Sequence, residues 1–276
     1  MPIRIVMLGD IVGRPGRVAV AQQIPIIRER WKPDLILANA ENSANGTGIT
    51  PEHYRKLRDA GLDGLTLGDH AYKKVQIVET LERESDIIRP ANFPPGARGK
   101  GWMKIPFPAG SAAAGRNLYV ITVMGRIFMN PPVDDPFATV EGVLRQITEK
   151  DPIVLLEIHA EATSEKQAFG WQFNGRVSAV VGTHTHVPTA DERVLSHGTA
   201  YITDLGMSGP QESILGRDID RVLTYMLTVM PSPFDVAEGD PRVCGVCVEI
   251  DEKTTRATAI ERIELRADAT KPPFVA

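Results

Sequence analysis

The apolar positions of this chain form short runs, separated by longer stretches in which they recur every three or four residues. That alternation is expected of strands packed against helices. Residues 3–8 (IRIVML) read as a first strand that stops at Gly9-Asp10. A helix is expected over 15–31, opened by Pro15, with Val18, Ala21, Ile24 and Ile27 on one face and a kink at Pro25. Residues 35–38 give a second strand ending near Glu41-Asn42, a polar loop covers 43–48, and Thr50-Pro51 opens another helix. Further strands at 64–67, 153–158 and 177–181 run into polar residues: Gly68-Asp69-His70, His159, and Thr183 to His186. Towards the end, 194–202, 243–250 and 257–265 read as strands joined by turns and pairing antiparallel.

Two segments depart from this rhythm. Residues 89–116, rich in Pro and Gly, read as one long ordered loop. No carboxylate lies between Asp86 and Asp134, whereas Arg89, Arg98, Lys100, Lys104, Arg116 and Arg126 are basic. Two readings stand: a solvated loop, or a lid that meets an anion. Residues 204–216 (DLGMSGPQESILG) read as a second polar, Gly-rich loop. With no repeat, low-complexity tract or linker, residues 1–276 are expected to form a single domain.

Composition narrows the class. The 276 residues are 42% hydrophobic and 24% charged, enough for a packed core. The net charge of −4 supplies no basic excess for non-specific nucleic-acid binding. No apolar run reaches about eighteen residues, so no membrane partner is expected, and the first residues lack a leader pattern. Two cysteines make no disulfide framework, and Cys244-x-x-Cys247 within an apolar run reads as a pair of buried thiols. A cytoplasmic, enzyme-sized α/β protein is the expectation.

Ligands of open α/β folds gather beyond the carboxyl ends of the strands. There lie Asp10, Glu41-Asn42, Asp69-His70, His159, and His184 with His186; of the six histidines only His53 and His197 fall elsewhere. Taken singly, each has a bland reading. Asp10 suits a helix N-cap, Glu41 a surface acid, Asn42 a turn and His159 a core imidazole. His184 and His186, two apart in extended backbone, would face one site, which favours metal binding. Three carboxylates, three imidazoles and an amide suit a pair of borderline cations better than a single zinc. Two such cations lower the pKa of a bridging water and clamp the attacking and leaving oxygens of a phosphoryl transfer. His70 is placed to protonate a leaving alkoxide.

In that order, Gly9-Asp10, Glu41-Asn42, Gly68-Asp69-His70, His159 and the string ending at His186 resemble the calcineurin-like metallophosphoesterases. The strings LGDIVGRPGR, ENSANGTGIT, HAEATSEK, VVGTHTHVPTADERVL and TDLGMSGP are similar to the YmdB-type branch, from the first strand to about Gly216. The resemblance implies a four-layer α-β-β-α sandwich with mixed sheets. It implies two metal ions per chain, iron or manganese, and a phosphodiesterase acting on cyclic nucleotides, above all 2′,3′-cyclic AMP, with RNA ends as a further class. A homo-oligomer is also implied. Carried over by position, Asp10, Asn42 and His186 would hold one metal, and Asp69, His159 and His184 the other. Glu41 would bridge them and His70 would donate the proton. This chain has Val12 where the superfamily has a His, a gap that Asn42 fills, and Asp69 where the YmdB-type branch has Asn. A carboxylate in place of an amide lowers the net charge of the filled centre by one.

Weaker signals remain. Gly46-Thr47-Gly48 would let backbone N–H groups approach a phosphate, Thr163 reads as a helix start, and Glu161 would orient His159. Trp102 could stack a nucleobase, with surface packing the preferred reading. The rivals are a dinucleotide-binding module on Gly9, Gly13 and Gly16, a metal or nucleotide sensor or scaffold without turnover, and an amide hydrolase.

Overall fold

Along the first strand, β1 (Ile3–Leu8), residues Ile3, Ile5 and Met7 enter one apolar cluster while Val6 and Leu8 enter another. A strand buried on both faces must have a layer on each side. The computed structural model describes residues 2–268. β1 leads through β2 (Asp10–Ile11) into α1 (Gly13–Trp31), then β3 (Leu35–Asn39), α2 (Pro51–Asp59), β4 (Gly64–Thr66), α3 (Val78–Arg83) and β5 (Ile87–Ile88). Next come β6 (Trp102–Pro106), β7 (Asn117–Met124), α4 (Pro136–Leu144) and β8 (Ile153–His159). After them follow α5 (Thr163–Gln172), β9 (Ala179–Thr183), β10 (Arg193–Val194) and β11 (Ala200–Ile202). The last are β12 (Met207–Glu212), α6 (Ile219–Thr228), β13 (Gly239–Ile250) and β14 (Ala257–Arg266).

Two mixed sheets result. The first runs β2-β12-β13-β1-β3-β4-β5, with β14 also paired to β13. Its β1, β3, β4 and β5 are parallel, while β13 runs antiparallel to β1. The second runs β10-β11-β9-β8-β7-β6. Its inner strands β11, β9, β8 and β7 are parallel and both edges antiparallel. Ile5, Met7 and Leu37 of the first sheet meet Val120, Leu155 and Val181 of the second. The outer face of the first sheet packs on α1, α2 and α3, and that of the second on α4 and α5. This is the expected α-β-β-α sandwich. The parallel strands of both sheets deliver their carboxyl ends to one region, because β-to-α crossovers place every such loop on the same side.

The structure corrects several expectations. Residues 89–116 are not one loop, since they contain β6. Met103 and Ile105 turn inward there while Lys104 and Pro106 face out, at a sheet edge where a proline removes no ladder bond. β7, along NLYVITVM, had no counterpart among the expected strands. Arg89 donates to the Pro90 and Ala97 carbonyls, Arg98 pairs with Glu82, and Lys100 donates to the Glu84 carbonyl. Arg116 and Arg126 pair with Glu149 and Asp135. These contacts pin their segments down. Within 204–216 lies β12, and 194–202 is a hairpin whose second strand runs parallel, not antiparallel, to β9. Pro25 sits on the exposed side of α1, which begins at Gly13 and runs on to Trp31. A Cβ at Gly16 would lie 2.2 Å from the Ser208 carbonyl oxygen. β12 therefore covers the start of α1, and no pyrophosphate could sit there as a dinucleotide module requires.

Candidate metal centre

Each candidate side chain is placed by the end of a strand. β1 hands the chain to Asp10, β3 to Glu41-Asn42, and β4 to Asp69-His70; β8 ends on His159 and β9 leads into His184 and His186. All eight converge. His159 Nε2 lies 3.2 Å from Glu41 Oε1 and 3.1 Å from both Asp69 Oδ1 and His184 Nδ1. Donor atoms of Glu41, Asp69, His159 and His184 fall within 4.8 Å of one another. On the other side of Glu41, Asn42 Nδ2 is 3.2 Å from His186 Nε2, which is 3.9 Å from Asp10 Oδ1. Glu41 touches both groups, for its Oε1 also accepts from Asn42 Nδ2 at 3.3 Å. His70 stands at the rim: its N–H donates to Glu41 Oε2 at 2.9 Å, Nδ1 is 2.6 Å from Asn42 Oδ1, and Nε2 is 3.4 Å from Asp69 Oδ2.

His184 and His186 reach this cluster by a different route from the one expected. Their φ angles are 99° and 64°, so the segment is not extended and the period-two reasoning does not apply. Left-handed backbone turns one ring to Asp69 and the other to Asn42. The loop is fixed from behind by Asp204, whose Oδ2 accepts from the Thr185 N–H at 3.2 Å and hydroxyl at 2.8 Å.

The electrostatics favour positive charge at the centre. Burial pushes the Asp10 carboxyl up to about 7, and its Oδ1 is buried without a hydrogen-bond partner. Burial alone would lower the His159 imidazole, but Glu41 and Asp69 outweigh it and hold it well above the usual histidine range. Burial likewise pushes Glu41 and Asp69 up, yet His159 beside them leaves both below the usual carboxylate range. His186 is pushed down by burial. A buried carboxylate oxygen without a partner, three acidic groups and imidazole nitrogens at close range form a donor set that a pair of cations satisfies.

Sequence reasoning missed a layer beneath these groups. Thr183 donates its hydroxyl to Glu157 Oε1 at 2.8 Å and so accepts from His159 Nδ1 at 2.9 Å. That bond leaves Nε2 facing Glu41 and Asp69. Asn39 donates to the same Glu157 oxygen at 2.8 Å and accepts from the Glu41 N–H at 3.1 Å. The only available signal was a Thr, a Glu and an Asn in otherwise apolar strands. Glu161, expected to orient His159, faces His184 Nε2 at 3.4 Å instead. Gly68 is required by close approach, as a Cβ there would meet the His159 ring at 2.3 Å. Gly46-Thr47-Gly48 is taken by Arg217, which donates to the Asn45 and Gly46 carbonyls and to Thr47 Oγ1. α5 begins at Thr163 as expected, with Ala162 at its N-cap and no side-chain bond there. Cys244 and Cys247 are buried, their thiols pushed up to about 12 by burial.

A family model described as YmdB-like protein matches residues 6–263. A 2′,3′-cyclic-nucleotide 2′-phosphodiesterase from Bacillus subtilis is 43% identical over 266 residues, covering 96% of this chain and 98% of that protein. A putative phosphatase/phosphodiesterase from Mycoplasma genitalium is 34% identical, covering 98% and 95%. Among solved structures, a hypothetical protein from Thermus thermophilus superposes with a TM-score of 0.87 at 42% identity, covering 96% of this chain and all of that one. A novel phosphatase from Mycoplasma pneumoniae gives 0.89 at 29% identity, covering 96% and 94%. Among the described residues, no helix is long and apolar enough to cross a membrane.

Proposed function

This chain belongs to the YmdB-like family, and from that premise we propose that it is a dinuclear metal-dependent phosphodiesterase whose substrate is a cyclic nucleotide, 2′,3′-cyclic AMP in the first place. The observation that carries this reading is the convergence of three carboxylates, three imidazoles and an amide on one point, with the Asp10 oxygen left unpartnered there. The Bacillus subtilis relative, named for that activity, supports the substrate class. Asp10, Asn42 and His186 would hold one cation and Asp69, His159 and His184 the other, with Glu41 serving both groups. Iron suits the mixed nitrogen and oxygen donors, as does manganese. When bound, the two cations supply Lewis acidity and the charge that a phosphodiester in flight needs.

The chain's own residues do the rest. Asp204 and Leu215 fix the loop bearing His184 and His186, and Thr183 fixes the His159 ring. Asn42, bonded to Glu41 and close to His186, orients the His70 ring through Nδ1. His70, at the rim of the cluster beside Asp69 Oδ2, delivers the proton to the departing ribose oxygen. Residues 1–276 work as a single domain in the cytoplasm. The exposed apolar side chains Leu227, Val229 and Met230 support assembly as a homo-oligomer. RNA ends carrying the same cyclic phosphate fall within the substrate class.

The test is hydrolysis of 2′,3′-cyclic AMP and of bis-p-nitrophenyl phosphate by protein shown by elemental analysis to hold two cations. Turnover is expected with iron or manganese. Its absence from a fully loaded sample overturns the reading in favour of a sensor or scaffold.

A further inference from the structure

The cluster opens into a hollow of about 380 Å³ whose two walls differ in character. One is polar and consists of the groups just described, with His70 at the edge. The other is apolar and comes from the chain between β12 and β13: Leu215, Val222, Met226 and Phe234. Val222 is buried and anchors α6, but Leu215, Met226 and Phe234 remain 52%, 66% and 44% exposed. Large apolar side chains left in water beside a polar site mark the place of a ligand's apolar part.

This wall is tied to the cluster. The Leu215 carbonyl accepts from His186 Nδ1 at 3.1 Å, and Leu215 adopts a left-handed φ of 51°. That conformation is unfavourable for a branched side chain and is held here by its surroundings. Arg217 donates to the Phe234 carbonyl at 3.0 Å while its other donors engage Asn45, Gly46 and Thr47. Its guanidinium therefore braces the wall against the loop beyond β3 and has no free fork for phosphate. Tyr225 supports the Phe234 ring edge-on, with centroids 5.7 Å apart and planes at 80°.

We propose that Leu215, Met226 and Phe234 are the platform on which the nucleobase of the substrate docks while its cyclic phosphate sits at the cation cluster. The inference rests on the phosphodiesterase reading and deepens it. In a nucleoside 2′,3′-cyclic phosphate the base is the one large, flat, weakly polar part, and a thioether beside an aromatic ring presents the polarisable surface that such a plane stacks on. The platform offers area rather than hydrogen-bond donors. It therefore selects an aromatic plane and grades it by size, purines above pyrimidines, without reading the base edge.

The experiment compares kcat/KM for 2′,3′-cyclic AMP with that for glycerol 1,2-cyclic phosphate, which has the five-membered cyclic diester and no base. Wild type and the Met226→Ala, Phe234→Ala and Phe234→Leu variants are used, with calorimetric Kd for adenosine 3′-phosphate and inorganic phosphate as a second readout. Wild type is expected to prefer the nucleotide. The alanine variants are expected to lower the ratio of the two kcat/KM values roughly tenfold, as loss of one stacking partner does, with Phe234→Leu intermediate. The ratio of the two Kd values should shift by a similar factor. Both diesters hydrolysed with an unchanged ratio in every variant overturns the platform alone. Neither diester hydrolysed by a fully loaded wild type overturns the phosphodiesterase reading and the platform with it.

Discussion

Lys166 Nζ donates to Asp204 Oδ2 at 2.6 Å, and both side chains are 1% exposed. The same oxygen accepts twice from Thr185, between the two histidines of the β9 loop, and Oδ1 accepts from the Gly206 N–H at 2.8 Å. A buried ion pair roughly offsets its own desolvation, whereas removing one member strands the other at a cost of about 3–5 kcal/mol. Lys166→Met is therefore expected to lower the unfolding free energy by about that amount in a urea titration. A loss below about 1 kcal/mol would mean that the Thr185 and Gly206 donors satisfy Asp204 without the lysine.

Thr183 acts one step from the cluster. With its hydroxyl removed, His159 loses the partner that fixes its ring and Glu157 loses a donor in a fully buried place. Thr183→Val is expected to weaken cation binding about 10–100-fold, the usual effect of losing a group that orients a ligating histidine. Competition against a chelator measures it. Unchanged cation affinity would show that packing alone sets the His159 ring.

His70 has a sharper signature than simple loss of rate. An alkoxide leaving group needs a proton, whereas p-nitrophenolate departs without one. His70→Ala is expected to cut kcat on 2′,3′-cyclic AMP by about 10²–10⁴-fold, with a much smaller loss on bis-p-nitrophenyl phosphate. Elemental analysis should find the same cation content, because His70 is not among the proposed ligands. Equal losses on both substrates would assign His70 to binding instead.

Asp69 is the carboxylate at a position where the resemblance to the YmdB-type branch implies an amide. It lies within 3.4 Å of nitrogens of His159, His184 and His70. Asp69→Asn removes one negative charge from the donor set. The variant is expected to retain less metal after dialysis against a chelator and to be inhibited more strongly by inorganic phosphate, since less negative charge opposes the anion. Unchanged metal content together with unchanged phosphate inhibition would remove any special role for this carboxylate.

Much of this was legible in the sequence because strand periodicity and strand ends leave a local imprint. Ile3 to Leu8 announces a doubly buried strand, and Asp10, Glu41 and His159 follow such runs directly. Other features arise only in three dimensions. β6 carries two inward apolar residues at an edge, too few to stand out among prolines and glycines. The direction of β11 depends on how the chain returns to β9, which no local pattern encodes. Asn39, Glu157 and Thr183 meet across 118 and 26 residues of chain, so their bonds have no sequence period. The turn of His184 and His186 into left-handed backbone is imposed by Asp204 and Leu215, from outside the motif itself. Apolar runs thus specified the layers and the site's position, and long-range polar contacts settled its orientation.

The histidine of α2 yields a prediction in pH. Burial and the nearby Arg17, aided by Lys56 and opposed by Glu52, push His53 down to about 4, and its Nδ1 is buried without a hydrogen-bond partner. In the unfolded chain the same group titrates near 6.5. Between these values the unfolded chain binds a proton that the folded one does not, so stability falls as pH drops from about 6.5 towards 4 and levels off below. Above about 6.5 the group is neutral in both states and contributes no slope. His53→Gln keeps a polar side chain of similar reach and removes the titration. The difference in urea midpoint between about pH 7 and pH 4.5 is therefore expected to be smaller in the variant than in wild type. The other acid-sensitive groups are common to both proteins and cancel in that comparison. An equal or larger difference in the variant would show that His53 takes up its proton in the folded state after all.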